Sequence, residues 1–306
     1  MNVNVDTLRE LQSQTYNPRS VEPAATPYET YRTKEFGGQH LSECYHENTK
    51  NVAHDRFRLD RSITYFLTDD SVAFAVSNID PEYDGRPLVD LPPPSSLDCS
   101  LSDALGARRS VQQYDGTGLS PSTLSTLLGH SFGTTGTSVM GRDADGDPVE
   151  KPVRAYPSAG GLYPVEQYVA VVNGRDGLDP GWYHYTPGRH GLRRLGVDDG
   201  PVADRLDELF ITADSMDLQS AGAVVFLTAA FWRSRAKYGE RGYRHVLMEA
   251  GYAGQNLLLA ATGLGLGAVH VDGFVDRAVE QTLGVDGVDE SVLSSIVIGS
   301  PRVADR

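Results

Sequence analysis

The chain has 306 residues, of which 40% are hydrophobic and 22% charged, enough to bury one large core or two smaller ones. A net charge of −14 and the absence of any basic run argue against a nucleic-acid partner, because binding phosphate backbones needs clustered Lys and Arg. Two cysteines, Cys44 and Cys99, are too few for a disulfide framework, and the start MNVNVDTLRE lacks the basic and apolar regions of a signal peptide. The most apolar stretches, 221–232 and 257–271, fall short of the roughly 20 residues a membrane helix needs, so a cytoplasmic protein with no membrane span is expected.

The acid excess has a particular make-up. Asp outnumbers Glu, and lysine is reduced to Lys34, Lys50, Lys151 and Lys237 while Arg remains common. This is a halophilic composition, in which short hydrated carboxylates keep the surface soluble and long ammonium side chains are avoided.

Residues 1–98 read as an N-terminal extension packed on a core of residues 99–306. The extension carries proline punctuation at Pro81, Pro87 and Pro92 to Pro94, and one short apolar run at 71–76. Its cluster of His40, Cys44, His46 and His54 has no recognisable ligand spacing, and no metal is predicted. From residue 100 the pattern sharpens. Ser102 is a candidate cap for a short helix ending at Arg108-Arg109-Ser110, and Ser120-Pro121 opens a second helix over 123–130. The segment 133–153, with its glycines and alternating charges, reads as a loop. It leads into the turn Arg154-Ala-Tyr-Pro-Ser-Ala-Gly-Gly-Leu-Tyr-Pro164, which feeds an apolar strand at 167–172.

A hairpin is predicted from 181–185 and 192–195, then a helix near 202–210 and a strand at 223–228 apolar enough to be buried on both faces. One long helix follows from about Gly242 to Leu264. Leu247, Ala250, Gly251, Gly254, Leu258 and Ala261 form a small apolar stripe suited to close packing, at a packed centre or a subunit contact. His245, Glu249, Tyr252 and Asn256 form a polar stripe able to serve a site. A strand at 268–271, a helix at 275–283 and a last buried strand at 292–298 complete the core. Strands and helices interleave without a strict repeat, which makes the class α+β with a mixed sheet.

The glycines Gly263, Gly265 and Gly267 do not make a dinucleotide loop. A Rossmann fingerprint places phosphate at the start of a helix, whereas here a helix precedes the glycines and a strand follows. No GxSxG elbow, HExxH pair or Walker loop is present.

PSAGGLYP at 157–164, KYGERGYR at 237–244 and EAGYAGQNLLLAATGLGLGAV at 249–269, in this order and over about residues 100–302, resemble the FMN-dependent nitroreductase superfamily, specifically its SagB-type dehydrogenases, which include azoline oxidases. The resemblance implies a mixed sheet flanked by helices, in a homodimer with FMN at the subunit interface. It implies that Arg108, Arg109 and Ser110 hold the flavin phosphate and ribityl chain, a role that suits guanidinium and hydroxyl groups. Pro157, Ser158, Ala159, Gly160 and Gly161 would border the isoalloxazine ring, and Asp272 and Gly273 would lie near its redox-active edge. Gln112 stands where many relatives carry Arg or Lys, so the phosphate is expected to lean more on Arg302, or on Arg306 at the chain end.

The resemblance also carries the Lys237-Tyr238 pair of azoline oxidases. Taking a hydride from a thiazoline- or oxazoline-like ring leaves an acidic intermediate whose second proton needs a base. A lysine serves only if its pKa is brought down, by desolvation or by cations such as Arg235, Arg241 and Arg244. The expected function is therefore FMN-dependent oxidation of azolines in a small molecule or a modified peptide, the latter requiring a cyclodehydratase partner. The alternatives are an NAD(P)H-dependent nitro or quinone reductase, which has no need of the Lys-Tyr pair, and a non-catalytic member that binds a peptide or partner and has lost the flavin.

Overall fold

The computed structural model describes residues 41–51, 63–64, 86–142, 148–197, 200–211 and 213–302. The chain divides into two compact units, Met1–Arg61 and Ser62–Arg306. In the first, helix α1 (Leu41–Asn48) carries Cys44 and His46; His40 and His54, like the apolar run at 71–76 and Arg306, lie outside the described residues.

The second unit is built on a seven-stranded sheet in the order β1-β6-β5-β4-β7-β9-β8. Its strands are β1 (Leu88–Asp90), β4 (Val165–Val171), β5 (Gly181–Thr186), β6 (Gly191–Arg194), β7 (Ala223–Ala230), β8 (Gly267–Val271) and β9 (Glu290–Gly299). Every pairing of described strands in it is antiparallel. Parallel character enters only through the single bridges Ser110–Ala268 and Leu119–Gly174. The class is α+β, as expected, and β1 draws residues 88–90, placed by the sequence in the extension, into the sheet edge.

Helices cover both faces of the sheet, which explains the unbroken apolar reading of β4 and β7. On one face lie α3 (Pro121–Phe132) and α6 (Gly242–Gly263), where Leu124, Leu127, Leu128, Ala253, Leu257 and Ala261 pack on Val169, Val225 and Ile296. On the other lie α4 (Val202–Leu209) and α7 (Asp276–Leu283), where Leu206, Leu209, Val279 and Leu283 meet Tyr168, Phe226 and Val297. Ser120 caps α3 by accepting a hydrogen bond from the Thr123 amide at 3.1 Å, with Pro121 at the first helical position.

The small stripe of α6 proves to be a packed centre. Ala250, Gly254, Leu258 and Ala261 are buried, and a Cβ on Gly254 would lie 3.4 Å from the His270 ring and 3.7 Å from Leu227. Leu247 and Gly251, at the edge of that stripe, are exposed.

Three local readings change. The cap of α2 (Leu101–Ala107) is Ser100, not Ser102: the Ser100 hydroxyl oxygen accepts from the Asp103 amide at 3.1 Å. The described residues of 133–153 are mostly strand and not loop: β2 (Thr134–Arg142) and β3 (Pro148–Arg154) pair antiparallel outside the main sheet. Two register shifts, between Thr134 and Gly136 and between Val139 and Gly141, break the alternation that would have revealed it. Finally, β7 is followed at once by a helix, α5 (Phe231–Tyr238), which the sequence reading left unassigned.

Candidate active site

Helix α5 is short, and its inward face is set by the four-residue spacing of Arg233 and Lys237. Arg233 Nη1 donates to the Tyr163 carbonyl at 3.1 Å and to Glu166 Oε1 at 2.5 Å, tying α5 to the exit of the PSAGGLYP turn and the start of β4. One helical turn later, Lys237 comes to the turn itself. Gly239, at φ 58° and ψ −143°, adopts a backbone that side-chain-bearing residues rarely take, so α5 stops at Tyr238 and the chain turns into α6.

The turn is a glycine cradle. Gly160 and Gly161 both have positive φ, 64° and 61°. A Cβ on Gly160 would lie 2.7 Å from Tyr238 Oη and 2.8 Å from Lys237 Nζ, so the amine and the hydroxyl occupy the space that any other residue would fill. A Cβ on Gly161 would lie 3.6 Å from Lys151 Nζ on β3. Gly160→Ala should therefore keep the fold, at a cost of about 1–2 kcal/mol for left-handed backbone, while displacing Lys237 and Tyr238. Thermal melting beside turnover tests this: a variant with wild-type turnover would show that the two side chains need not touch the turn.

The polar stripe of α6 faces the same turn. The His245 ring lies 4.9 Å from the Tyr238 ring in an edge-on contact. Asn256 Nδ2 donates to the Ala155 carbonyl at 3.2 Å. Glu249 is 2% exposed and takes hydrogen bonds from the Ser158 hydroxyl and the Val165 amide, while its Oε1 has no hydrogen-bond partner among the described residues. Ser158 Oγ in turn accepts from the Tyr163 amide at 2.9 Å, so the turn is braced from beneath. Tyr252, the remaining member of the stripe, is exposed.

These positions set the protonation. Burial pushes the Glu249 carboxyl up to about 7, against the Ser158 hydrogen bond and the Arg154 charge. Burial lowers the Lys237 amine and raises the Tyr238 hydroxyl. Of the two causes the sequence left open for Lys237, burial is the one found and the charges of Arg235, Arg241 and Arg244 are not; Arg235 is paired with Glu240 at 2.8 Å. Lys151 is lowered to about 8 by burial, then by the charges of Lys237 and Arg154. Beneath the site, Glu166 also accepts from His184 Nε2 at 3.1 Å, and Arg233, His184 and Arg154 hold it well below the usual carboxylate range in spite of its burial.

The remaining site residues expected from the sequence gather elsewhere. Ser110 bridges Ala268, and the Val111 amide donates to the Ala268 carbonyl at 3.2 Å, so the Arg108–Gln112 segment runs along edge strand β8. The side chains of Arg109, Ser110 and Gln112 are exposed, and Arg109 Nη1 donates to the Gly106 and Arg108 carbonyls at 2.9 and 2.8 Å. Arg302 joins this group through its amide to the Gln113 carbonyl and its Nε to the Tyr114 carbonyl, but its Nη2 is paired with Asp217 at 2.5 Å. Asp272 follows β8 and accepts from the Ser294 hydroxyl at 2.7 Å; the Gly273 carbonyl accepts from the Ile211 amide at 2.8 Å. From Ala268, beside Ser110, to Asp272 is four residues, about 13 Å of extended chain.

One chain thus presents two groups. Pro157–Gly161 with Lys237 and Tyr238 sits at the start of β4, and Arg108–Gln112 with Asp272, Gly273 and Arg302 sits along β8. Three strand spacings, about 14 Å, separate β4 from β8 across the sheet. Lys151, Arg154 and Arg233 escaped the sequence reading, and Glu249 entered it only as part of a stripe. For Lys151 a signal existed: lysine is nearly excluded from this chain, so each survivor has to be accounted for.

Comparison with known proteins agrees with this architecture. Residues 105–300 match the nitroreductase family. A protein of Methanocaldococcus jannaschii that carries the nitroreductase name is 34% identical over 194 residues, covering 63% of this chain and 88% of that protein. The trifolitoxin-processing protein TfxB of Rhizobium leguminosarum bv. trifolii is 30% identical, covering 72% of this chain and 59% of its own length. The microcin B17-processing protein McbC of Escherichia coli is 32% identical over 44% of this chain and 49% of its own length. This chain therefore spans about half to three-fifths of those two peptide-processing proteins. Among solved structures, a nitroreductase-named protein of Anabaena variabilis superposes with a TM-score of 0.62 at 25% identity, covering 85% of this chain and 46% of that one. The chain belongs to the nitroreductase family.

Proposed function

We propose that this nitroreductase-family oxidoreductase works with FMN and oxidises thiazoline- or oxazoline-like rings, peptide-borne ones foremost, to azoles. One observation carries the reading: Lys237 Nζ and Tyr238 Oη lie against Gly160, in the turn that the family resemblance implies would border the flavin ring. A nitro reductase that passes electrons to varied acceptors has no need of an amine and a phenol in that place. The names of the two peptide-processing relatives support a peptide substrate.

The residues present fit FMN. Gly160 and Gly161 add no side chain of their own to the turn against which a flat ring would lie, and Arg108, Arg109 and Ser110 suit a phosphate and a hydroxylated chain. Bound flavin would accept the hydride equivalent. The chain's own work is to seat the substrate over the turn and to handle the departing proton there, where Lys237 and Tyr238 stand.

Two copies would complete each site, since one chain keeps the turn and the Arg108–Gln112 segment apart. The surface supports this: Tyr243, Leu247, Met248 and Tyr252 expose an apolar face of α6. We expect one FMN per chain in a homodimer, with a cyclodehydratase supplying rings where the substrate is a peptide. Light scattering beside flavin absorbance tests the assembly; a monomer with stoichiometric FMN would contradict it.

The M. jannaschii relative favours a second reading, NAD(P)H-driven nitro or quinone reduction. Steady-state assays separate the two. Brisk NADH-dependent nitro reduction together with inert azolines would support the second reading, whereas a colourless protein that does not take up FMN would leave a non-catalytic binding role.

A further inference from the structure

Two of the chain's four lysines, Lys151 and Lys237, meet at one turn, from different elements: a hairpin strand and a helix. Lysine is among the residues least often buried, yet these two are 4% and 7% exposed. Lys151 is also the residue that its strand's alternation turns inward. On β3 its neighbours Glu150 and Pro152 are exposed, as is Pro148, while Lys151 points inward to lie 5.9 Å from the Tyr163 ring centre and beside Gly161. A hairpin that turns a lysine inward and leaves prolines in water is not built for apolar packing. It delivers an amine.

We propose that Lys151 is a proton-accepting residue of this site, paired with Lys237 across the Gly160–Gly161 turn so that the two amines carry one proton between them. The substrate in this inference rests on the azoline reading above; the amine pair does not. Two ammonium groups held out of water beside each other repel, so one of them gives up its proton at a lower pH than a free lysine does. Around Lys151, Lys237 and Arg233 from α5 and Arg154 from its own strand favour the neutral amine, while Glu249 from α6 favours the charged one. Burial adds to the first group, and Lys151 falls to about 8. Above that pH Lys237 holds the charge and Lys151 the lone pair.

The balance follows. Oxidation of the ring removes a hydride equivalent, which the flavin accepts, and one proton. The Lys151 amine takes that proton from the ring carbon, the electrons of the broken C–H bond become the new ring double bond, and the resulting ammonium passes its proton to the Glu249 carboxylate under the turn. Because the neutral amine is the working form, the rate should rise with pH and level off above about 8.

With four lysines in the chain, 13C labelling of lysine side chains gives four sets of NMR signals, assignable by their loss in Lys151→Met and Lys237→Met. In the full-length protein, the signal lost in Lys151→Met should titrate near 8, and its midpoint should climb toward 10.5 in Lys237→Met. If Lys237→Met does not fold, Lys237→Gln serves the same purpose. A Lys151 signal that titrates near 10.5, or one that ignores the loss of Lys237, would overturn the pair. On a thiazoline peptide, Lys151→Met should lower kcat by at least about 10²-fold with KM nearly kept, and Lys151→Arg should do the same, since a guanidinium stays protonated. Rescue by Lys151→Arg would mean that Lys151 supplies only charge, and would overturn its proton-accepting role. A pair that titrates as stated, in a protein that oxidises no azoline, would support the pair and overturn the azoline reading.

Discussion

Lys237→Ala should lower azoline oxidation by roughly 10²- to 10⁴-fold while leaving a folded, yellow, dimeric protein, and Tyr238→Phe should fall in the same direction. The size follows from the position. Lys237 Nζ stands 2.8 Å from where a Gly160 Cβ would be, with its pKa lowered by burial. Removing it takes away one amine of the pair and a charge that helps to lower the Lys151 amine. Flavin binding should survive, because the phosphate-suited residues lie along β8, about 14 Å of sheet away. Reduction of the flavin by an artificial donor should persist. Stopped-flow measurement of flavin reduction by substrate, beside the flavin absorbance of the variant, separates the step from the binding. Loss of FMN together with activity would return the pair to a structural role.

Arg233→Met should cost about 3–5 kcal/mol, a large part of the roughly 5–15 kcal/mol that holds a domain folded. Arg233 and Glu166 are both buried and their charges are 2.5 Å apart, so the variant strands a carboxylate in the core. His184 alone, 3.1 Å away, does not replace the guanidinium. The pH dependence has a definite sign. Glu166 titrates below its ordinary value in the folded protein, so its contribution to stability is present above the ordinary carboxylate range and is lost as pH falls through the folded value. The variant should therefore lose most stability near neutral pH and differ less from wild type in acid, where protonated Glu166 needs no partner. Urea unfolding at several pH values measures this; a variant within about 1 kcal/mol of wild type at neutral pH would show that Arg233 does not hold the turn to α5.

The sequence made the core legible where physics leaves periodic marks. The four-residue recurrence in α6 and the apolar run of β7 gave both elements with correct type, because one face of α6 and both faces of β7 are buried. The 133–153 hairpin left no such mark: it stands outside the main sheet, its bulges break the two-residue alternation, and glycines at 133, 136 and 141 read as loop. Helix α5 was hidden because Arg233, Arg235 and Lys237 dominate its sequence, and the charge that is buried cannot be told from the charge that is solvated without the fold.

Of the candidate site, the sequence singled out the glycines and the Lys-Tyr pair, which the fold brings into contact. The reason for Gly160, that Lys237 and Tyr238 fill the place of its side chain, is a contact across 77 residues and more that no spacing rule reports. The same holds for Glu249, whose raised pKa comes from burial under the turn, and for Lys151, which reaches Gly161 from a hairpin the sequence did not show.

The measurement that bears most directly on the reading is mass spectrometry of a synthetic thiazoline-containing peptide after incubation with the FMN-loaded protein in high salt. A loss of two hydrogens per ring, absent without FMN and strongly reduced in Lys237→Ala, is the predicted result. An unchanged substrate mass with wild-type protein that holds its flavin and readily reduces nitroaromatics with NADH would contradict it.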